Sequence, residues 1–194
     1  MNKEAYLFFI TFRGYIVSHR STVIRLWLSL HFLVFLAGLS GLFWGLYTNM
    51  GMGVIVSRGS FWGKASLIFL SAALLPGIFG RMKLLPILTQ ILMLFRRHLG
   101  ISMFLTAFNH FLWSSLTADL VSGTVISRKP TYIIMGISAL ALALPLFLTS
   151  NDAAIRILKR NWKRLQRLVY AVLLLVLMHL VFLESDWGKL AGTV

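Results

Sequence analysis

An all-helical integral membrane protein, folded as a five-helix transmembrane bundle, is what this sequence predicts, and three observations predict it. The chain is 58% hydrophobic and only 12% charged, with a mean hydropathy of +0.83, whereas water-soluble domains carry about 25% charged residues. Its apolar residues gather in runs close to the roughly 20 needed to cross a bilayer core. Its cations fall in the gaps between those runs, where lipid head groups lie. The net charge of +14 is therefore a membrane-surface charge, and nucleic-acid binding is not expected. With no cysteine in the chain, disulfides, zinc–thiolate sites and iron–sulfur ligation by this chain are excluded.

The elements follow in order. The opening "MNKEAYLFFITFRGYIVSHR" has too short an apolar stretch to span and reads as an interfacial helix. No small-residue cleavage site follows it, so a removed signal peptide is not expected. Spans are expected at about 27–48, 65–80, 99–118, 131–149 and 168–185. Before the third span comes "LLPILTQILMLF" (84–95), bracketed by Arg81, Lys83, Arg96 and Arg97. Twelve helical residues rise only about 18 Å, too short to cross, so a second interfacial helix is expected there. Gly41 and Gly45, four apart in the first span, suit close helix packing. Pro76 and Pro145 are expected to kink their helices. Trp62, Tyr132, Tyr170 and Trp187 suit an aromatic belt at the head groups. The whole chain, 1–194, reads as one transmembrane domain without internal repeats.

Lysine and arginine counts set the orientation. The N-terminal segment carries four, the 81–97 connection four and the 150–167 connection six, against two, two and one on the other side. The positive-inside rule places the first group in the cytoplasm, with the C-terminus outside. The six cations from Arg156 to Arg167 are expected to meet anionic lipid or a cytoplasmic partner. Asp119, Glu184 and Asp186 fall at the outer rim.

Histidines are the ionisable groups of interest. His19 and His98 flank basic residues, and His31 lies near the cytoplasmic end of the first span. His110 and His179 are deep. The first lies thirteen residues past Arg97 and the second twelve past Arg167, on two spans that both run outward. Two imidazoles at one level can approach a flat ring from opposite faces, and porphyrin iron offers two axial positions that suit imidazole. His110 and His179 are thus the candidate axial ligands of a six-coordinate heme. Thr106 or Ser114, one turn from His110, can accept from its outer ring nitrogen. His179 has only Leu175, Val176, Phe182 and Leu183 at the corresponding places. The competing reading gives each histidine a hydrogen bond to a neighbouring helix and nothing more.

Four stretches, "WGKASLIFLSAALLPGIFGRM", "RRHLGISMFLTAFNH", "SRKPTYIIMGISALALALPLFLTSNDAAIRILKRNWKRLQRLVY" and "LVLMH", resemble the ferric-reductase-like transmembrane domain family, over roughly residues 62 to 184. Within it they are similar to the MsrQ (YedZ) type, heme-b membrane subunits that pass electrons to a periplasmic methionine sulfoxide reductase. The resemblance implies a multi-pass protein of the bacterial inner membrane. It also implies that related two-heme proteins hold an inner heme near the cytoplasm, with ligands at the positions of Arg96 and Gln166. Neither is histidine here, so one heme b is expected, with His31 and His98, which lie toward the cytoplasm, as the candidates for a second site.

One heme in the outer half does not bridge a core of about 30 Å. A second carrier on the cytoplasmic side, a quinol, a flavin or a partner's cofactor, is therefore expected. The chain has no glycine-rich nucleotide fingerprint and no serine–histidine–acid set or paired carboxylates, so it is at most the electron-transfer subunit of an oxidoreductase. Two functions compete: a heme-b subunit passing electrons from a membrane quinol or flavin donor to a partner protein, and a heme-free scaffold or assembly subunit of a larger membrane complex. The absent inner ligands favour the scaffold, and the outer histidine pair favours the carrier.

Overall fold

The computed structural model describes residues 3–48, 51–116 and 130–191. Among these residues every regular element is helical. In chain order they are α1 (Lys3–Ser18), α2 (Arg20–Tyr47), α3 (Met52–Met82), α4 (Pro86–Phe111) running into a π-turn (Leu112–Leu116), α5 (Thr131–Leu148), α6 (Asp152–Leu158), α7 (Arg160–Gln166) and α8 (Val169–Ala191). Five stretches are long and apolar enough to cross a membrane: Arg20–Tyr47, Gly53–Met82, Pro86–Ser114, Thr131–Leu148 and Arg160–Glu184. Helices are the expected solution, because each satisfies its own backbone hydrogen bonds where lipid supplies none.

The bundle is built from two helix pairs. α3 lies along α4, and α5 lies along α8, while α4 also touches α5 and carries α2 on another face. A core shared by both pairs ties them together: Leu70 and Leu74 from α3, Met103 and Phe104 from α4, Ala139, Ala143 and Leu146 from α5, and Val172 from α8. Phe104 stacks on Phe147 of α5 at 4.4 Å between ring centroids and on Phe108 at 6.2 Å. Leu33, Ile68, Leu174 and Val181 point outward, more than half exposed, as side chains facing lipid do.

The stretch 84–95 is not a separate surface helix. It forms the first turns of α4, which runs unbroken from Pro86 to Phe111. Arg96, Arg97 and His98 mark a change of environment, from head group to hydrocarbon, but none of them breaks a helix. At 26 residues the helix is about 39 Å long, so it can reach beyond a core of about 30 Å. The chain turns from α3 into α4 through Lys83 and Leu85, both with left-handed backbone (φ 54° and 43°).

Of the two glycines expected to allow close packing, Gly45 is buried, and a closer approach falls at Gly38. Gly41 has ordinary room, with its nearest neighbours 3.7 Å from a Cβ position, whereas a Cβ on Gly38 would stand 2.6 Å from the Asn109 amide nitrogen and 2.9 Å from the Trp62 ring. Gly38→Ala should therefore destabilise the fold by about 1–3 kcal/mol, the usual range for overpacking. The checking measurement is the thermal midpoint in detergent, with Gly14→Ala, at an open position, as control.

At the basic end the "LTSN" stretch closes α5. Thr149 and Ser150 donate their hydroxyls to the carbonyls of Pro145 and Leu146, and Asn151 caps α6 by accepting from the Ala154 N–H. The Trp162 indole donates to the Thr149 carbonyl at 2.9 Å, tying α7 to the end of α5. Arg97 of α4 pairs with Asp152 of α6, and the guanidinium holds that carboxyl below the usual carboxylate range. The tie is thus complete above the ordinary carboxylate pKa and is lost as pH falls through the lowered value. Glu184 is exposed. Asp119 and the side chains of Asp186 and Trp187 lie outside the described residues.

Candidate functional site

The two deep imidazoles meet. His110 on α4 and His179 on α8 stand with ring centroids 6.1 Å apart and ring planes crossed at 80°. Each ring is held by the partner helix of its own pair. His110 Nδ1 lies 2.7 Å from the carbonyl oxygen of Gly59 on α3. His179 Nδ1 lies 2.6 Å from the carbonyl oxygen of Tyr132 on α5. A carbonyl only accepts, so each Nδ1 carries the proton and donates, which leaves each Nε2 with a free lone pair.

That arrangement fits porphyrin iron. His110 and His179 would hold the iron between them from two helices, and the 6.1 Å between their ring centroids leaves the pair close enough to share one metal ion. Neutral imidazoles with their outer nitrogens already bonded are the usual form of such ligands. Directly after His110 the helix widens into the π-turn Leu112–Leu116, a distortion common at functional sites.

Of the acceptors expected beside His110, Ser114 Oγ is 3.2 Å from Nδ1, a longer contact than that to Gly59. Thr106 is occupied elsewhere, donating to the carbonyls of Ser102 and Met103. The sequence reading missed Gly59, Gly63, Tyr132 and Gly136. A Cβ on Gly63 would stand 3.0 Å from His110 Nδ1, and one on Gly136 would stand 3.0 Å from His179 Nδ1. The available signal was a glycine in each of the helices that precede the two histidines. Two of the aromatic residues lie against these elements: Trp62 packs beside Gly38, and Tyr132 supplies the carbonyl for His179 with its ring centroid 5.9 Å from the imidazole.

His31 and His98 lie in different surroundings. His31 donates from Nδ1 to the Trp27 carbonyl, stacks on the Trp27 ring and meets Phe69 edge-on. His98 is 3% exposed. Between them stands Trp27, whose indole donates to Ser102 Oγ, and Ser102 in turn donates to the His98 carbonyl. Among the described residues no ring contact joins the two, and His98 Nδ1 is buried without a hydrogen-bond partner.

Arg96 and Gln166 do come together. Both line a cavity of about 480 Å³ at the basic end. Its cationic rim is Arg96, Arg97, Lys163 and Arg167, and its apolar wall includes Ala73, Gly100, Ala143 and Phe147. Gln166 makes one long contact, 3.5 Å from its amide nitrogen to Thr149 Oγ. Phe147 links this cavity to the Phe104–Phe108 stack, which ends two residues before His110.

Comparison with known proteins gives the same direction. The chain is similar to the protein-methionine-sulfoxide reductase heme-binding subunit MsrQ of Agrobacterium fabrum, 35% identical over 99 residues, covering 49% of this chain and 46% of the relative. MsrQ of Xanthomonas campestris pv. campestris is 38% identical over 100 residues, with 50% and 46% covered. MsrQ of Xanthomonas euvesicatoria pv. vesicatoria is 41% identical over 98 residues, with 47% and 44% covered. The match thus spans about half the length of each of these curated relatives. No solved structure matches. The family described as ferric reductase like transmembrane component matches residues 62–177, a stretch that takes in most of α3, all of α4 and α5 and the start of α8 and stops two residues before His179, and the chain belongs to that family.

Proposed function

We propose that this protein is a heme-b electron-transfer subunit of the bacterial inner membrane, with His110 and His179 as the axial ligands of one heme. The observation that carries this reading is the imidazole pair, 6.1 Å between centroids, with both Nδ1 atoms engaged by carbonyls and both Nε2 atoms left to bind. The heme-binding subunits to which the chain is similar support the same group. When bound, heme iron supplies one-electron redox chemistry. Two imidazole ligands fill both axial positions and so favour electron transfer over oxygen binding. The chain's own residues orient the ligands and surround them with hydrocarbon.

The cavity around Arg96 and Gln166 is the seat we assign to the cytoplasmic-side carrier, a membrane quinol or a flavin. It lies about 20 Å from the histidine pair along α4. Its cations suit a ring that gains negative charge on reduction, or a phosphate, and its apolar wall suits a planar ring. The basic end then faces the cytoplasm, and a separate partner protein takes electrons from the outer side. His31 and His98 serve packing in this arrangement.

The test is a pyridine hemochrome assay on the purified chain. About one heme b per chain, with a b-type reduced-minus-oxidised difference spectrum, is expected. A chain that purifies folded from heme-replete cells without heme would overturn the reading and leave the scaffold role.

A further inference from the structure

On an α-helix, each side chain leans back over the turn that precedes it, so the residue at i+4 shields the carbonyl of residue i from lateral approach. Gly63 stands four residues after Gly59, and Gly136 stands four after Tyr132. These are the two carbonyls that the imidazoles reach, at 2.7 and 2.6 Å. In both places the missing side chain is what lets the ring lie against the helix. A Cβ on Gly63 would be 3.0 Å from His110 Nδ1 and 3.1 Å from Cε1, and one on Gly136 would be 3.0 Å from His179 Nδ1 and 3.2 Å from Cε1. Such contacts are tighter than ordinary van der Waals spacing, so the ring would have to move. Gly38 and Gly59 pack against other side chains, Asn109 and Ser114, whereas Gly77 faces open space.

We propose that Gly63 and Gly136 are a matched pair of positioning residues. Each uncovers one helix carbonyl, and together they hold the imidazoles of His110 and His179 with crossed planes and give the bound heme a low reduction potential. The proposal rests on the reading of that pair as heme ligands. Its two halves follow one plan, although the helices that carry them differ in sequence. A carbonyl that accepts the Nδ1 proton pushes electron density into the ring and strengthens the bond from Nε2 to iron. That stabilises the ferric form over the ferrous. An imidazole displaced from its carbonyl loses this donation, and the potential rises.

Gly63→Ala, Gly136→Ala and the control Gly77→Ala are to be compared with the parent as purified heme-loaded proteins. Redox titration gives the midpoint, and electron paramagnetic resonance of the oxidised protein gives the plane angle. The parent should show the strongly anisotropic low-spin ferric signal of crossed imidazole planes. Each of the two alanine variants should shift the reduction equilibrium about tenfold upward, about 59 mV for one electron, and alter that signal. Gly77→Ala should change neither. Heme bound with parental potential and parental signal in both variants would overturn the proposal. If neither variant folds, the parent decides: pulsed paramagnetic resonance reads the outer ring nitrogens. Frequencies of a strongly shared Nδ1 proton uphold the proposal, and those of a free N–H overturn it. A parent without heme in the hemochrome assay removes the ligand reading itself, a distinguishable failure that takes this inference with it.

Discussion

His110→Ala and His179→Ala should each abolish the b-type difference spectrum. Even loss of an outer-shell partner costs a metal site about 10–100-fold in affinity, and loss of an axial ligand should exceed that. Because the missing ring leaves a hole of its own shape beside Gly63 or Gly136, free imidazole should restore part of the spectrum in either variant. Gln166→Ala should keep it intact, since Gln166 lies at the far end of the bundle with the cavity. Full heme content in both histidine variants would defeat the ligand assignment.

The double variant Arg96→His with Gln166→His should raise heme from about one to about two per chain, while either single change should leave it at one. The expectation comes from register and shape together. Arg96 lies fourteen residues before His110 and Gln166 thirteen before His179, and the two side chains line one cavity of about 480 Å³. Gly100, Ala73 and Ala143 leave room for a flat ring there, and Lys163 and Arg167 remain to meet its carboxylates. The measurement is heme per chain with a second step in the redox titration. Retention of a single heme by a folded double variant would show that the cavity cannot take the place of an inner heme site.

The spans and the histidine pair were legible because lipid imposes simple rules. A core of about 30 Å demands long apolar helices, and a fixed rise per residue converts distance along a span into depth. The common depth of His110 and His179 needed only that arithmetic. Their outer nitrogens were not legible in the same way. Gly59 is 51 residues from His110, and Tyr132 is 47 from His179. Nothing in a periodic pattern announces which backbone carbonyl a side chain from another helix will reach. The family resemblance marked Arg96 and Gln166 as counterparts, but that they now bound a cavity depends on side-chain size and helix spacing. The short helix expected over 84–95 shows the opposite error, in which a charge boundary was taken for a helix end.

The distance of about 20 Å between the basic cavity and the histidine pair has an electrical consequence. In the orientation proposed above, with the cavity inside and the imidazoles toward the outer face, an electron passing between them would carry negative charge away from the negative side of an energised membrane. A full crossing is worth about 2.3 kcal/mol per 100 mV, and this step covers roughly two thirds of the hydrocarbon. The resting voltage of the cell would therefore help to drive reducing equivalents outward, and an uncoupler that collapses it should slow their delivery.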